Sequence, residues 1–292
     1  MKRYYFTILL LLLGILAVAQ DRFENVEITT TKLTDRVFML QGAGGNILIQ
    51  VSENQVVMID SQFAPLSDKI KKAIATITDL PISFLINTHH HADHTGGNKN
   101  FNSEDVTVIA HKNVFVRLEK DGKKEVFLPE KIIEEDYKLS LPDDNNLIIH
   151  VHNAHTDGDS FIYMTKSNVV HMGDVFFNGR YPYIDIASGG SITGYINAQE
   201  KILSTINEET KIVPGHGALA SYEDLASYIP MLKDLKNQIE KALTNGKSRE
   251  EVEKDKRITK VYDKNGFGEG FISSEKIRTT IYDSLLLEAK SK

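Results

Sequence analysis

The run Thr88-His89-His90-His91-Ala92-Asp93-His94-Thr95-Gly96-Gly97-Asn98 constrains this chain more than any other stretch. Five side chains able to bind a metal fall within six residues, directly after the apolar segment Ile82–Asn87, which reads as a strand. Packing or a solvated turn explains such density poorly, whereas imidazole and carboxylate suit zinc and other borderline first-row ions. A strand-end loop can aim His89 and His91 one way while the next turn sends Asp93 and His94 another, a layout that favours two neighbouring ions over one. No cysteine occurs among the 292 residues, which removes disulfides, thiolate metal sites, iron–sulfur clusters and cysteine nucleophiles together. Any metal must be held by imidazole and carboxylate.

Around that run, strand-like and helix-like segments alternate in a chain of globular composition, 41% hydrophobic and 25% charged. Val26–Thr30, Val37–Gln41, Asn46–Val51, Gln55–Asp60 and Val106–Ala110 read as further strands of the first half. Tyr137–Leu141, Leu147–Asn153, Ser160–Thr165, Val169–Met172 and Lys211–Val213 do so in the second. Helical spacing of apolar residues marks Pro65 to Thr78, Lys112 to Leu118, Ile192 to Ile206, Tyr222 to Leu243 and Ser274 to Glu288. Pro230 is expected to kink the fourth of these or divide it. This order is that of an α/β (α+β) layered sandwich, with helices outside two sheets. Residues 20–292 are expected to form one catalytic domain ending in a charged helical tail.

The first nineteen residues look like a cleaved signal peptide: Lys2 and Arg3, an apolar run from Tyr4, then Ala17-Val18-Ala19 before Gln20. The alternative, a retained anchor, needs about 20 apolar residues to span comfortably. Without cysteine there is no lipoprotein anchor. The expected location is periplasmic or secreted, with no stable membrane attachment after cleavage. Loss of Lys2 and Arg3 takes the formal charge from −6 to −8, which argues against a nucleic-acid partner. The expected partner is a small-molecule substrate, and the oligomeric state is left open.

Three later positions extend the donor set: His155 in Asn153-Ala154-His155-Thr156-Asp157-Gly158, Asp174 in His171-Met172-Gly173-Asp174, and His216 in Pro214-Gly215-His216-Gly217. Singly they are weak signals. Taken with His89-x-His91-x-Asp93-His94 and in this order, they resemble the metallo-β-lactamase superfamily across nearly the whole mature chain. The resemblance implies a four-layer αββα sandwich with the site at one edge between the sheets. It implies that His89, His91 and His155 hold one ion, that Asp93, His94 and His216 hold the second, and that Asp174 bridges them. A hydroxide between two zinc ions would be the nucleophile; iron or manganese also suit such ligands. Two divalent ions would leave a positive site that lowers the pKa of bound water towards ~7. Asp93 would orient the nucleophile and later carry a proton, which makes it the expected catalytic residue.

The superfamily cleaves β-lactams, thioesters, lactones, phosphodiesters and sulfate esters, and fold alone does not choose among them. Export favours contact with β-lactams, but lactamases of this group generally carry cysteine, serine or histidine near the place of Asp174. A bridging carboxylate is similar instead to glyoxalase II-like thioesterases, lactonases and phosphodiesterases. The leading expectation is an exported dinuclear zinc hydrolase of a small carbonyl ester, thioester, lactone or lactam, with β-lactamase-like activity left open. The alternatives are a phosphodiesterase of the same fold and a non-catalytic metal-binding or scaffold protein.

Other residues invite attention. His90 is expected to face away from the ligands, His150 and His152 to form a polar sheet face, and His111 and His171 to lie outside the ligand set. The same resemblance implies that Asp60, at the end of Val56-Val57-Met58-Ile59, supports a ligand histidine. The segment from Asn178 to Gly194, with Arg180, Tyr181 and Tyr183, is a candidate substrate loop, against ordinary packing with Ser191 as a helix cap. Phe63 is a candidate pocket wall, and Gly42-Ala43-Gly44-Gly45 a hairpin turn overhanging the site.

Overall fold

Alternation decides the layers. In β4 (Val56–Ile59), Val57 and Ile59 join one buried cluster while Val56 and Met58 join another. A strand apolar on both faces needs cover on both. In the computed structural model, which describes residues 22–103 and 105–290, that cover is a second sheet on one side and helices on the other.

The first sheet runs β1 (Thr29–Lys32), β2 (Val37–Gln41), β3 (Ile47–Val51), β4, β5 (Ile82–Ile86), β6 (Thr107–His111) and β7 (Lys131–Ile133) in chain order. Its pairs are antiparallel as far as β4 and parallel from β4 to β7. The second sheet holds β8 (Tyr137–Ser140), β9 (Asn145–His150), β10 (Ser160–Met164), β11 (Val169–His171) and β12 (Lys211–Val213). It is antiparallel except where β12 runs parallel to β11.

Between the sheets, Met39, Leu48 and Ile59 share a core with Ile148, Ile162 and Val213. Outside the first sheet lie α1 (Ser67–Ala75), α2 (Ala92–Thr95), α3 (Asn98–Phe101) and α4 (Lys112–Lys120). Ile70 and Ile74 of α1 and Phe101 of α3 fill the outer core with Val56 and Met58. Outside the second sheet lie α5 (Ile192–Thr205), α6 (Tyr222–Thr244), α7 (Arg249–Lys254), α8 (Lys260–Asp263) and α9 (Ser274–Lys290). Their buried residues, such as Ile196, Leu232 and Ile281, pack with Phe161, Val170 and Ile212. The result is the four-layer αββα sandwich. Among the described residues no helix is long and apolar enough to cross a membrane.

Several expectations shift. The first strand is Thr29–Lys32 rather than Val26–Thr30, because Val26 and Ile28 are drawn into the outer core beside α1. The strand β7 was not expected, since only Ile133 of its three residues is buried. Pro230 does not divide α6, which is continuous; it lies on the exposed face, where the backbone bond it removes faces water. His150 is not on a polar face: it is buried, with its ring stacked on that of His111. The expected leader, residues 1–19, lies outside the described residues.

Candidate metal centre

Every residue of the expected donor set sits where a strand of one sheet or the other runs out. After β5 the chain bends through Thr88, His89 and His90, is extended at His91 (φ −63°, ψ 150°) and then turns into α2, which carries Asp93 and His94. His155 lies between β9 and β10, Asp174 in a 3-10 turn after β11, and His216 just beyond β12. The turn into α2 after His91 is what separates His89 and His91 from Asp93 and His94.

Two groups of donors result. Ligand atoms of His89, His91, His155 and Asp174 all lie within 4.8 Å of one another, and those of Asp93, His94 and His216 do likewise. Asp174 stands between them. Its Oδ2 lies 3.5 Å from His155 Nε2 and 3.8 Å from His89 Nε2, while its Oδ1 lies 3.0 Å from His94 Nε2 and 3.4 Å from His216 Nε2. Asp93 Oδ2 closes the second group at 3.2 Å from His216 Nε2.

The outer nitrogens show which ring atoms are left for a metal. His94 Nδ1–H donates to Asp60 Oδ2 (2.7 Å), His91 Nε2–H to Asp185 Oδ2 (3.0 Å) and His155 Nδ1–H to the Tyr183 carbonyl (2.7 Å). His89 Nδ1–H donates to the Thr88 hydroxyl (3.0 Å), which itself donates to Asp60 Oδ2 (2.7 Å). Each bond fixes a tautomer and turns the other nitrogen inward. His91 Nδ1 and His155 Nε2 then face each other at 2.8 Å. His89 Nε2, His94 Nε2 and Asp174 Oδ1 are buried without a hydrogen-bond partner, although the last two are close. Buried polar atoms normally find partners, so convergent orphans of this chemistry fit divalent cations.

Electrostatics agree. Burial disfavours a charged His94, but Asp174, Asp60 and Asp93 outweigh it and raise the imidazole well above its usual range. His216 is pushed up to about 9: burial opposes, and Asp174 and Asp93 prevail. Burial would raise Asp174, yet His216 and His94 hold it well below the usual carboxylate range. The carboxylates create a demand for positive charge that cations on the same Nε2 atoms would meet. Away from them, burial pushes His155 down to about 4.

Two glycines make the approach possible. A Cβ on Gly45 would fall inside the His94 ring, and one on Gly215 would meet Asp174 Oδ1 and the Gly173 backbone. The Gly42–Gly45 stretch is the β2–β3 hairpin turn, and Gly45 N–H donates to the Asp93 carbonyl (3.1 Å).

In front of the donors lies a cavity of about 490 Å³, bounded by Phe63, Phe177, Tyr183 and Phe271 and reached by Arg22 and Arg180. Residues 41–216 match the family model of the metallo-beta-lactamase superfamily. The chain belongs to this superfamily. A probable hydroxyacylglutathione hydrolase of Schizosaccharomyces pombe is 26% identical over 184 residues, covering 62% of this chain and 66% of that protein, just under two thirds. Metallo-beta-lactamase IND-1 of Chryseobacterium indologenes is 23% identical over 176 residues, covering 59% of this chain and 71% of that one. A metallo-beta-lactamase structure from Pontibacter korlensis superposes with a TM-score of 0.63 at 16% identity, over 71% of this chain and all of that one. The sec-alkyl sulfatase PisA1 superposes at 0.67 with 13% identity, over 77% of this chain and 45% of that one.

For this superfamily member, Asp60 sits where it was expected, supporting His94. His171 is buried outside the donor groups as a strut: its Nε2–H donates to the Asn46 carbonyl (2.8 Å) and its Nδ1 accepts from Gly173 N–H (3.1 Å). His90 is half-buried beside His91 and belongs to neither the Asp174 group nor the Asp93 group, but with His91 and Asp185 it forms a third cluster whose ligand atoms lie within 4.8 Å of one another. The Asn178–Gly194 segment does two things. Arg180, Tyr181 and Tyr183 line the cavity, and Ser191 caps α5 by accepting from Gly194 N–H. Asp185 was not anticipated. It lies in an aperiodic loop far along the chain from His91, and the one local hint is its N-cap role, accepting from Ser188 N–H.

Proposed function

We propose that this protein is an exported, dinuclear zinc hydrolase that cleaves a small carbonyl substrate: an ester, thioester, lactone or lactam. The observation that carries the reading is the division of the Asp174 carboxylate, one oxygen towards His89 and His155 and the other towards His94 and His216. His89, His91 and His155 would hold one ion, Asp93, His94 and His216 the other, and Asp174 both. Bound there, the ions supply Lewis acidity towards a carbonyl oxygen and lower the pKa of water.

The chain's own residues do the rest. Asp60, Asp185, Thr88 and the Tyr183 carbonyl keep the donor rings aligned, which preorganises the site before substrate arrives. Asp93 has Oδ2 turned to His216 and lines the cavity, so its other oxygen can orient water and hold the proton taken from it. Phe63, Phe177 and Tyr183 exclude bulk water. Among the described residues the Arg180 guanidinium has no acidic partner, which suits a substrate that carries a carboxylate. The donor set favours zinc, with iron or manganese compatible.

The test is metal content together with turnover of nitrocefin, a lactone, a thioester and bis-p-nitrophenyl phosphate. Two zinc ions per chain, hydrolysis of a carbonyl substrate and loss of both in His91→Ala are expected. Full activity of His91→Ala with normal zinc content would sink the assignment. Turnover of the phosphodiester alone would make the enzyme a phosphodiesterase, and two zinc ions with no turnover would favour a binding role.

A further inference from the structure

One wall of the cavity comes from chain beyond the family match, which ends at residue 216. The connection from α8 to α9 reads Lys264-Asn265-Gly266-Phe267-Gly268-Glu269-Gly270-Phe271-Ile272-Ser273, and Phe271 and Ile272 reach the cavity. Phe271 is 82% exposed, whereas Ile272 beside it is buried in the helical core. Leaving a ring of that size in water forgoes substantial burial, so its place over an active-site cavity calls for an occupant.

The exposure is built in. Tyr181 N–H donates to the Phe267 carbonyl (3.2 Å), and Asp263 Oδ1 accepts from both the Tyr181 hydroxyl (2.8 Å) and the Ser274 hydroxyl (2.7 Å). A Cβ on Gly270 would press on the Arg180 side chain, and one on Gly268 would strike Ser274 Oγ. The connection is thus fastened to the loop that carries Arg180 and Tyr181. The Phe271 ring stands edge-on to Tyr183, with centroids 6.0 Å apart, and the Tyr183 carbonyl holds His155.

We infer that Phe271 determines substrate choice: an aryl-sized apolar group in the cavity packs against the Phe271–Tyr183 pair, so the preferred substrates carry such a group beside the reacting carbonyl. This deepens the hydrolase reading of the same cavity and rests on it. The chain contains no tryptophan, so Phe271→Trp places a single indole at the contact.

The experiment compares zinc-loaded wild type, Phe271→Ala and Phe271→Trp on phenylacetyl and acetyl thioesters, with phenylacetate as a binding probe. Phe271→Ala is expected to lower the phenylacetyl-to-acetyl ratio of kcat/KM about tenfold, mainly through KM, and to weaken phenylacetate binding by a similar factor. Phe271→Trp should keep the ratio and shift its emission when phenylacetate is added. An unchanged ratio, or an equal loss on both thioesters, overturns the inference. If wild type cleaves neither thioester, the hydrolase reading fails on these substrates, and calorimetry with phenylacetate on wild type and Phe271→Ala decides the rest. Equal affinities, or no binding to either, then reject the aryl contact.

Discussion

Asp60 accepts from the Thr88 amide and hydroxyl and from the His94 ring, and it does so from a left-handed backbone (φ 60°). An aspartate tolerates that conformation better than most residues, and the turn lets a buried carboxylate orient one ligand directly and His89 through Thr88. Asp60→Asn removes the charge and offers an N–H where Oδ2 now accepts. We expect zinc affinity to fall by about 10–100-fold while the fold persists, measured by competition with a chelator; unchanged affinity would leave Asp60 a mere turn residue. Asp60 was legible through the family resemblance, in which an acidic residue ending this apolar strand supports a ligand histidine. Asp185 was not, since hydrogen bonds between loops distant in sequence leave no periodic trace.

At the scale of elements, the strands were readable as short apolar runs between turn residues, as in β4, and their boundaries moved by at most three residues. What eluded the reading were features set by neighbours in space. Lys131–Ile133 becomes a strand only because β6 offers it an edge. His150 at the end of β9 is buried, and His111 at the end of β6, in the other sheet, meets it ring to ring at 3.6 Å and 4°, a contact that strand periodicity does not show. That meeting has an energetic sign. Burial first, then His111 and His152, push the His150 pKa down to about 4, below its ordinary value. The unfolded chain therefore binds the extra proton between about pH 6.5 and pH 4, so this contribution to stability is complete above that window and lost as pH falls through it. In chelator-treated protein, urea unfolding from pH 7 to pH 4.5 should destabilise wild type more than His150→Gln, by an amount on the order of 1–3 kcal/mol. Parallel pH profiles would show that the stack carries no such cost.

Seen whole, the molecule is two half-sandwiches. The outer core of the first sheet draws its buried residues from Leu40 to Val108, and that of the second from Ile149 to Leu285. They share the inner core, the exposed acidic connector Glu134-Glu135-Asp136 between β7 and β8, and the donor groups. His89 and His91 come from the first half and His155 and Asp174 from the second; Asp93 and His94 are answered by His216. Neither half owns a complete set. Metal would then act as a clasp as well as a reagent, joining the two halves across the site. Cut at the connector and mixed, the fragments should associate far more tightly with zinc than with chelator, as read by size-exclusion chromatography. Association indifferent to zinc would mean that the dry inner core alone holds the halves together. The clasp would make assembly itself a report on available zinc.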